Sequence, residues 1–186
     1  IEKPQPLVPR HLRAEVPERM DARGQVRIPL DEAAIETVVD GLVREGVTSV
    51  AVAFLHAYAN PAHERTAAAV ITRWFPDLAV STSSDVAPEI REYERTSTAV
   101  ANAYIKPLAR SYLDAIAAQL ARRDIAAPLL LMISNGGLTH VEEAKRVPVQ
   151  LLESGPAAGA LAAAWFGAED AGGDVLAFDM GGTTAK

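Results

Sequence analysis

Apolar and polar residues recur along this chain with two different periods. Between Asp31 and Arg44 the apolar positions are Ile35, Val38, Val39, Leu42 and Val43. That three- and four-residue spacing predicts one buried helix face. Asp31 supplies an N-terminal cap, and Gly46 stands where a left-handed C-terminal cap is wanted. The run Val47-Thr48-Ser49-Val50-Ala51-Val52-Ala53-Phe54-Leu55 predicts a buried strand. Asn60-Pro61 predicts a turn and a helix start, with Pro61 as first helical residue and the helix ending near Trp74. Phe75-Pro76-Asp77 breaks it, and Leu78 to Ser83 reads as a short strand. Strand, helix and strand at this spacing imply a parallel or mixed sheet with helices against it.

The second half reads differently. A long helix is predicted from Pro88 to about Arg123, with Ile90, Tyr93, Val100, Tyr104, Leu108, Tyr112, Ile116 and Leu120 near helical period. Pro107 lies inside it and is expected either to kink the helix or to split it, because proline removes a donor and crowds the preceding turn. Beyond it come a strand from Leu129 to Ile133, a turn, a short helix near Glu142 and a strand from Val149 to Leu152. An alanine-rich helix from Gly155 to Phe166, a loop at Ala171-Gly172-Gly173 and a last strand ending at Asp179 complete the pattern. The fold class is α/β, with mixed or parallel sheets and flanking helices. No internal repeat or low-complexity tract is present.

Composition narrows the function classes. The 186 residues suit one domain or two small ones, and the 49% hydrophobic content is that of a globular chain. Aromatics are only 5%, which favours helices packed through small side chains. A net charge of −6 argues against nucleic acid, since no basic stripe is available to displace counterions. No apolar stretch approaches the roughly 20 residues of a membrane span. With no cysteine there is neither a disulfide nor a thiolate site, which fits a reducing cytosol. The chain starts at Ile1 and stops on a glycine-rich loop, so it is expected to be a piece of a longer protein.

Three glycine-rich turns in the last third carry the candidate chemistry. Asp179-Met180-Gly181-Gly182-Thr183-Thr184 follows Val175-Leu176-Ala177-Phe178 and reads as a strand running into a phosphate-binding turn. Its glycines let backbone N–H groups approach an anion, and its hydroxyls donate to phosphate oxygens. Its carboxylate can hold a water or a hydrated Mg²⁺. The same residues also suit a simple hairpin turn. Ser134-Asn135-Gly136-Gly137 and Glu153-Ser154-Gly155-Pro156-Ala157-Ala158-Gly159 are the other two turns. Each alone also reads as loop punctuation. Together, on one edge of one sheet, they would form a nucleotide cleft. Gly155, Ala158, Gly159 and Ala162 put small residues on one helix face, which suits either a packing seam or an anion at the helix entrance. No Walker sequence occurs. His56 and His63, the latter beside Glu64, match no standard metal spacing and read as surface or capping histidines. Asp85, Glu89, Glu92 and Glu94, with Arg91 and Arg95, read as a charged patch opening the long helix, where acidic residues suit the macrodipole.

Six ordered segments carry a resemblance. They are Val16-Pro17-Glu18-Arg19-Met20-Asp21, Phe54 to Glu64, Pro88 to Thr98, Ser134 to Gly137, Leu152 to Gly159 and Phe178 to Lys186. From about Val16 to Lys186 the chain resembles the hydantoinase A / 5-oxoprolinase family, in its N-methylhydantoinase A-like form. The resemblance implies part of an actin-like, ribonuclease H-like ATPase fold of the sugar kinase and Hsp70 type. An upstream Asp-x-Gly-Gly-Thr loop expected in that family is absent from this chain. Residues 1–87 would be the C-terminal part of the family's N-terminal region. Residues 88–127 would be a long helical segment, and 128–186 the start of the central ATPase domain. The implied activity is ATP- and Mg²⁺-dependent opening of a hydantoin or of 5-oxoproline, the latter a reaction of glutathione metabolism. By motif, Asp179 would be the catalytic, phosphate-proximal carboxylate and would hold the metal, directly or through water. Gly181, Gly182, Thr183 and Thr184 would form the phosphate turn, with Lys186 pairing with phosphate. Asn135, Gly136, Gly137 and Gly155 would line the same cleft. A hydantoinase B-type subunit or domain is the implied partner, the cytoplasm the implied location, and self-association a further expectation. A ketone carboxylase subunit, a sugar-kinase-like phosphotransferase and a non-catalytic nucleotide-binding scaffold stay open. The isolated 186-residue chain is expected not to turn over substrate.

Overall fold

The computed structural model describes residues 5–170 and 174–182. The chain divides into two compact units, Ile1–Arg110 and Ser111–Lys186. In the N-terminal unit, strands β1 (Arg19–Met20) and β2 (Val26–Ile28) pair antiparallel across an irregular register. No apolar alternation announces this hairpin; its turn chemistry makes it. The Asp21 carboxylate accepts from the N–H groups of Arg23 and Gln25, each at 2.9 Å, and Arg27 bonds its other oxygen. Those bonds, led by the Gln25 N–H, hold the Asp21 carboxyl below its usual range.

Helix α1 (Glu32–Arg44) starts where expected, with Asp31 accepting from the Ala34 N–H at 3.0 Å. It ends before Gly46, whose φ is +83°. Strands β3 (Ser49–Val52) and β4 (Ala79–Thr82) pair parallel, in register from Ser49 opposite Ala79 to Val52 opposite Thr82. Helix α2 (Ala62–Trp74) is the crossover between them. Asn60 caps the entrance to α2 from one residue outside Pro61, its side chain accepting from the Ala62 N–H at 3.0 Å. Ile35, Val39, Val52, Ala67 and Ile71 form the core where α1 and α2 cover this sheet. Burying each large aliphatic side chain there contributes about 1.5–3 kcal/mol.

A short helix α3 (Ser83–Val86) precedes helix α4 (Glu92–Arg122), which runs unbroken past Pro107. The split alternative is therefore excluded. Proline at 107 leaves the Ala103 carbonyl without its helical donor. The Ser49 hydroxyl of β3 donates to that carbonyl at 2.7 Å, so a side chain from the sheet replaces the missing bond.

In the C-terminal unit, β5 (Leu130–Met132) and β6 (Leu138–His140) form an antiparallel hairpin. Helix α5 (Val141–Arg146), a 3-10 turn (Pro148–Leu151) and helix α6 (Ser154–Asp170) follow. Among the described residues, Leu113 of α4, Ala144, Val147 and Pro148 are buried in this unit. The Arg146 guanidinium bonds the Glu143 carboxylate and holds its carboxyl below the usual range. Lys145 pairs with Asp114 and Glu142, which raises its ammonium above the usual range.

Two expected strands are absent. Val149 to Leu152 lies in the 3-10 turn and its exit, because Pro148 at the first position pre-sets a helical φ and offers no ladder donor. Val175 to Asp179 is not a strand either, and Leu176 is 92% exposed. An apolar run becomes a buried strand only where a sheet offers it an edge; among the described strands β5 and β6 pair with each other. No helix among the described residues is long and apolar enough to cross a membrane.

Candidate functional site

The Ser134–Gly137 turn joins β5 to β6. Ile133 and Gly137 close it through an N–H to carbonyl bond of 2.9 Å, and the Asn135 side chain accepts from the Gly137 N–H at 2.8 Å. The Ser134 N–H donates to the Gln150 carbonyl at 2.8 Å, which ties the turn to the 3-10 segment. Gly136 has φ +86°, and a Cβ there would lie 3.0 Å from Leu161 Cδ1 of α6. Both facts demand glycine: the conformation is left-handed, and the turn lies directly on the helix. The structure thus brings Asn135, Gly136 and Gly137 against the helix whose first turn contains Gly155.

Gly155 itself is exposed, and a Cβ at Gly155 or Gly159 would meet nothing within 4 Å. Among the described residues these glycines therefore form no packing seam. Asp179, Gly181 and Gly182 are exposed on the segment that follows α6. Thr183, Thr184 and Lys186 lie outside the described residues. The three glycine-rich turns follow a hairpin strand, a 3-10 turn and an unpaired run, rather than three strands of one sheet.

A second constellation lies in the N-terminal unit, at the carboxyl ends of β3 and β4. Glu64 on α2 is fully buried. One of its oxygens accepts from the Phe54 N–H at 2.8 Å and from the Ser83 hydroxyl at 2.6 Å. The other accepts from the Ser84 N–H at 2.8 Å. Arg95 on α4, also buried, donates to the Ser83 hydroxyl at 3.0 Å, to the Phe54 carbonyl at 3.0 Å and to the Glu89 carbonyl at 2.7 Å. Ser83 thus links a buried carboxylate to a buried guanidinium. Both strand ends are pinned, and no buried side-chain polar atom among the described residues lacks a partner. The patch reading of Arg95 is overturned, since this side chain is turned inward.

His63 and Glu64 diverge. His63 Nδ1 lies 2.7 Å from Glu18 Oε2 on the segment leading into β1, while Glu64 faces the strand ends. No cluster of three or more metal-ligating side chains is present among the described residues.

The Hydantoinase/oxoprolinase N-terminal region model matches residues 1–75, and the Hydantoinase/oxoprolinase model matches residues 95–186. The chain belongs to the hydantoinase/oxoprolinase family. The caprolactamase alpha subunit of Pseudomonas jessenii is 38% identical over 182 residues, covering 96% of this chain and 26% of that protein. The 5-oxoprolinase of Saccharomyces cerevisiae is 35% identical over 156 residues, or 83% of this chain and 12% of that protein. The crystal structure of the ATP-dependent caprolactamase matches with a TM-score of 0.83 over 96% of this chain. A nucleotide-free acetone carboxylase structure, described with ATP-dependent acetone carboxylation, matches at 0.78 with 28% identity, over 90% of this chain and 24% of its own. The chain spans about a quarter of the length of the caprolactamase subunit it matches.

In this hydantoinase/oxoprolinase chain the sequence motifs pick out the glycine turns and overlook the buried polar network. Glu64 follows a histidine and Arg95 sits among charges, so both resemble surface residues. A signal was available for Glu64: at positions 64, 67 and 71 it shares the helical face of Ala67 and Ile71, which face the core.

Proposed function

We propose that the full-length protein containing this chain is an ATP-dependent cyclic-amide hydrolase. The observation that carries this reading is the match, over nearly the whole chain, to a caprolactamase whose structure is described as ATP-dependent. A lactam carbonyl is a poor electrophile. Attack of its oxygen on the γ-phosphorus of ATP would release ADP and leave a phosphorylated imidate. Water would then add to the ring carbon, and the ring C–N bond would break as the nitrogen takes a proton, leaving an acyl phosphate that a second water would hydrolyse to the carboxylate and phosphate. The products are an amino acid, ADP and phosphate.

The chain's own groups suit the phosphate side of that reaction. Backbone N–H groups at Gly181 and Gly182, followed by Thr183 and Thr184, would bind and orient phosphate oxygens, with Lys186 adding positive charge. Asn135, Gly136, Gly137 and Gly155 would line the same cleft. Asp179 is a single exposed carboxylate. It fits Mg²⁺ held mainly through waters and phosphates rather than in a protein cage. When bound, that ion would neutralise charge developing on the transferred phosphoryl. A partner subunit of the hydantoinase B type would complete the enzyme, and the cytoplasm is the expected location.

The similarity to acetone carboxylase favours one second reading, an ATP-dependent ketone carboxylase subunit. Phosphate release by the full-length protein with its partner subunit separates the two. ATP and Mg²⁺ are held fixed while a hydantoin, 5-oxoproline, a lactam and a ketone with bicarbonate are compared. Stimulation by one cyclic amide is expected, lost in Asp179→Asn. Stimulation by the ketone with bicarbonate alone would replace the hydrolase by the carboxylase.

A further inference from the structure

The segment 54–60 leaves β3 at its carboxyl end, beside the carboxyl end of β4, where open α/β sheets place their ligands. It is fixed at both ends. Phe54 is held through its N–H by buried Glu64 and through its carbonyl by buried Arg95. Asn60 donates to the Gly24 carbonyl of the β1–β2 turn at 2.9 Å. Between these anchors His56 adopts φ +58°, a left-handed conformation that a non-glycine residue takes up rarely. Its carbonyl accepts from the N–H groups of Ala59 and Asn60, so the conformation is built into the turn.

The His56 ring is located as well. It meets the Tyr58 ring edge-on, with centroids 6.1 Å apart, and the Arg95 guanidinium lies 5.8 Å from the other ring's centroid. Among the described residues, the structure assigns the His56 ring this aromatic contact and no hydrogen bond. A half-buried imidazole is therefore held at a strand-end edge with its polar atoms unspent. Asp124 and Glu153 share this conformation, and non-glycine residues held in it cluster at functional sites.

We propose that this edge is a substrate-binding face and that His56 is its contact residue, hydrogen-bonding the carbonyl-bearing group of the substrate. On the reading above that substrate is a cyclic amide; the placement of His56 rests on the geometry alone. Glu64 and Arg95 are positioning residues, acting through Phe54 and Tyr58.

The test uses the full-length protein with its partner subunit, and the variants His56→Gly and His56→Asn. Both replacements tolerate positive φ, so they remove the ring without straining the turn. The expected result is an unchanged or raised Tm for both, with kcat/KM for the stimulating cyclic amide reduced about tenfold or more in His56→Gly. Wild-type kcat/KM in His56→Gly would overturn the proposal, as would a loss of kcat/KM matched in both variants by a fall in Tm. If the wild type responds only to a ketone with bicarbonate, the cyclic-amide reading fails. A His56→Gly defect toward that ketone would still support the edge as a substrate face. No response to any carbonyl compound would remove both.

Discussion

Glu64, Ser83 and Arg95 are at most 1% exposed, and Glu64 and Arg95 together bond both backbone groups of Phe54. Removing either side chain leaves several buried hydrogen-bonding groups without their partners, a loss of about 3–5 kcal/mol. Glu64→Ala and Arg95→Met should each lower stability by about that much in urea unfolding. Arg91→Met serves as the comparison. Arg91 is solvent-exposed and pairs loosely with Glu94 at 3.5 Å, so its removal should change stability by no more than about 0.5 kcal/mol. Equal small effects at 91 and 95 would mean that the network carries no stability. One turn of helix separates these two arginines, and nothing in their local sequence says which is turned inward. That depends on where the ends of β3 and β4 lie, which is a tertiary fact.

At the level of elements, Pro107 inside α4 has a specific compensation. Ser49→Ala should cost about 1–3 kcal/mol, because the buried Ala103 carbonyl would then lack a donor. In a Pro107→Ala background the helix supplies its own N–H, and the cost of Ser49→Ala should shrink to a few tenths of a kcal/mol. A double-mutant cycle by chemical denaturation measures the coupling, and additive effects would rule out this role for Ser49. The βαβ order of β3, α2 and β4 was legible because its signals agree: a strand-length apolar run, an Asn-Pro helix start and the Phe75-Pro76-Asp77 break before the second strand. The β1–β2 hairpin was not, since it depends on Asp21 folding its carboxylate onto its own turn. Val149 to Leu152 reads as a strand although three apolar residues around Gln150 have no period of their own, and Pro148 decides it.

For the whole molecule, both units leave large apolar side chains in solvent. Tyr93, Tyr104 and Leu108 do so in the N-terminal unit, and Trp165, Phe166 and Phe178 in the C-terminal unit. Surfaces of this kind usually mark contacts with other protein. The isolated 186-residue chain should therefore self-associate with rising concentration in sedimentation velocity. Replacing Trp165 and Phe166 by Glu and Lys should reduce that association, and a strictly monomeric wild type would refute the expectation. The candidate phosphate turns were legible as motifs, whereas their surroundings were not. A motif names its own backbone; the strand that should support Asp179 depends on a sheet to receive it.

The link between Glu64 and Arg95 also bears on the order of folding. Their partners come from four stretches of chain, around residues 54, 64, 83 and 95. Burying Glu64 before Ser83 and Ser84 arrive would leave its carboxylate short of donors, and burying Arg95 before Phe54 and Ser83 arrive would leave its guanidinium short of acceptors. The N-terminal unit therefore has no inexpensive half-formed state in which α2 is docked and the first turns of α4 are loose. Its sheet, its crossover and the start of its longest helix rise and fall together, as one cooperative block.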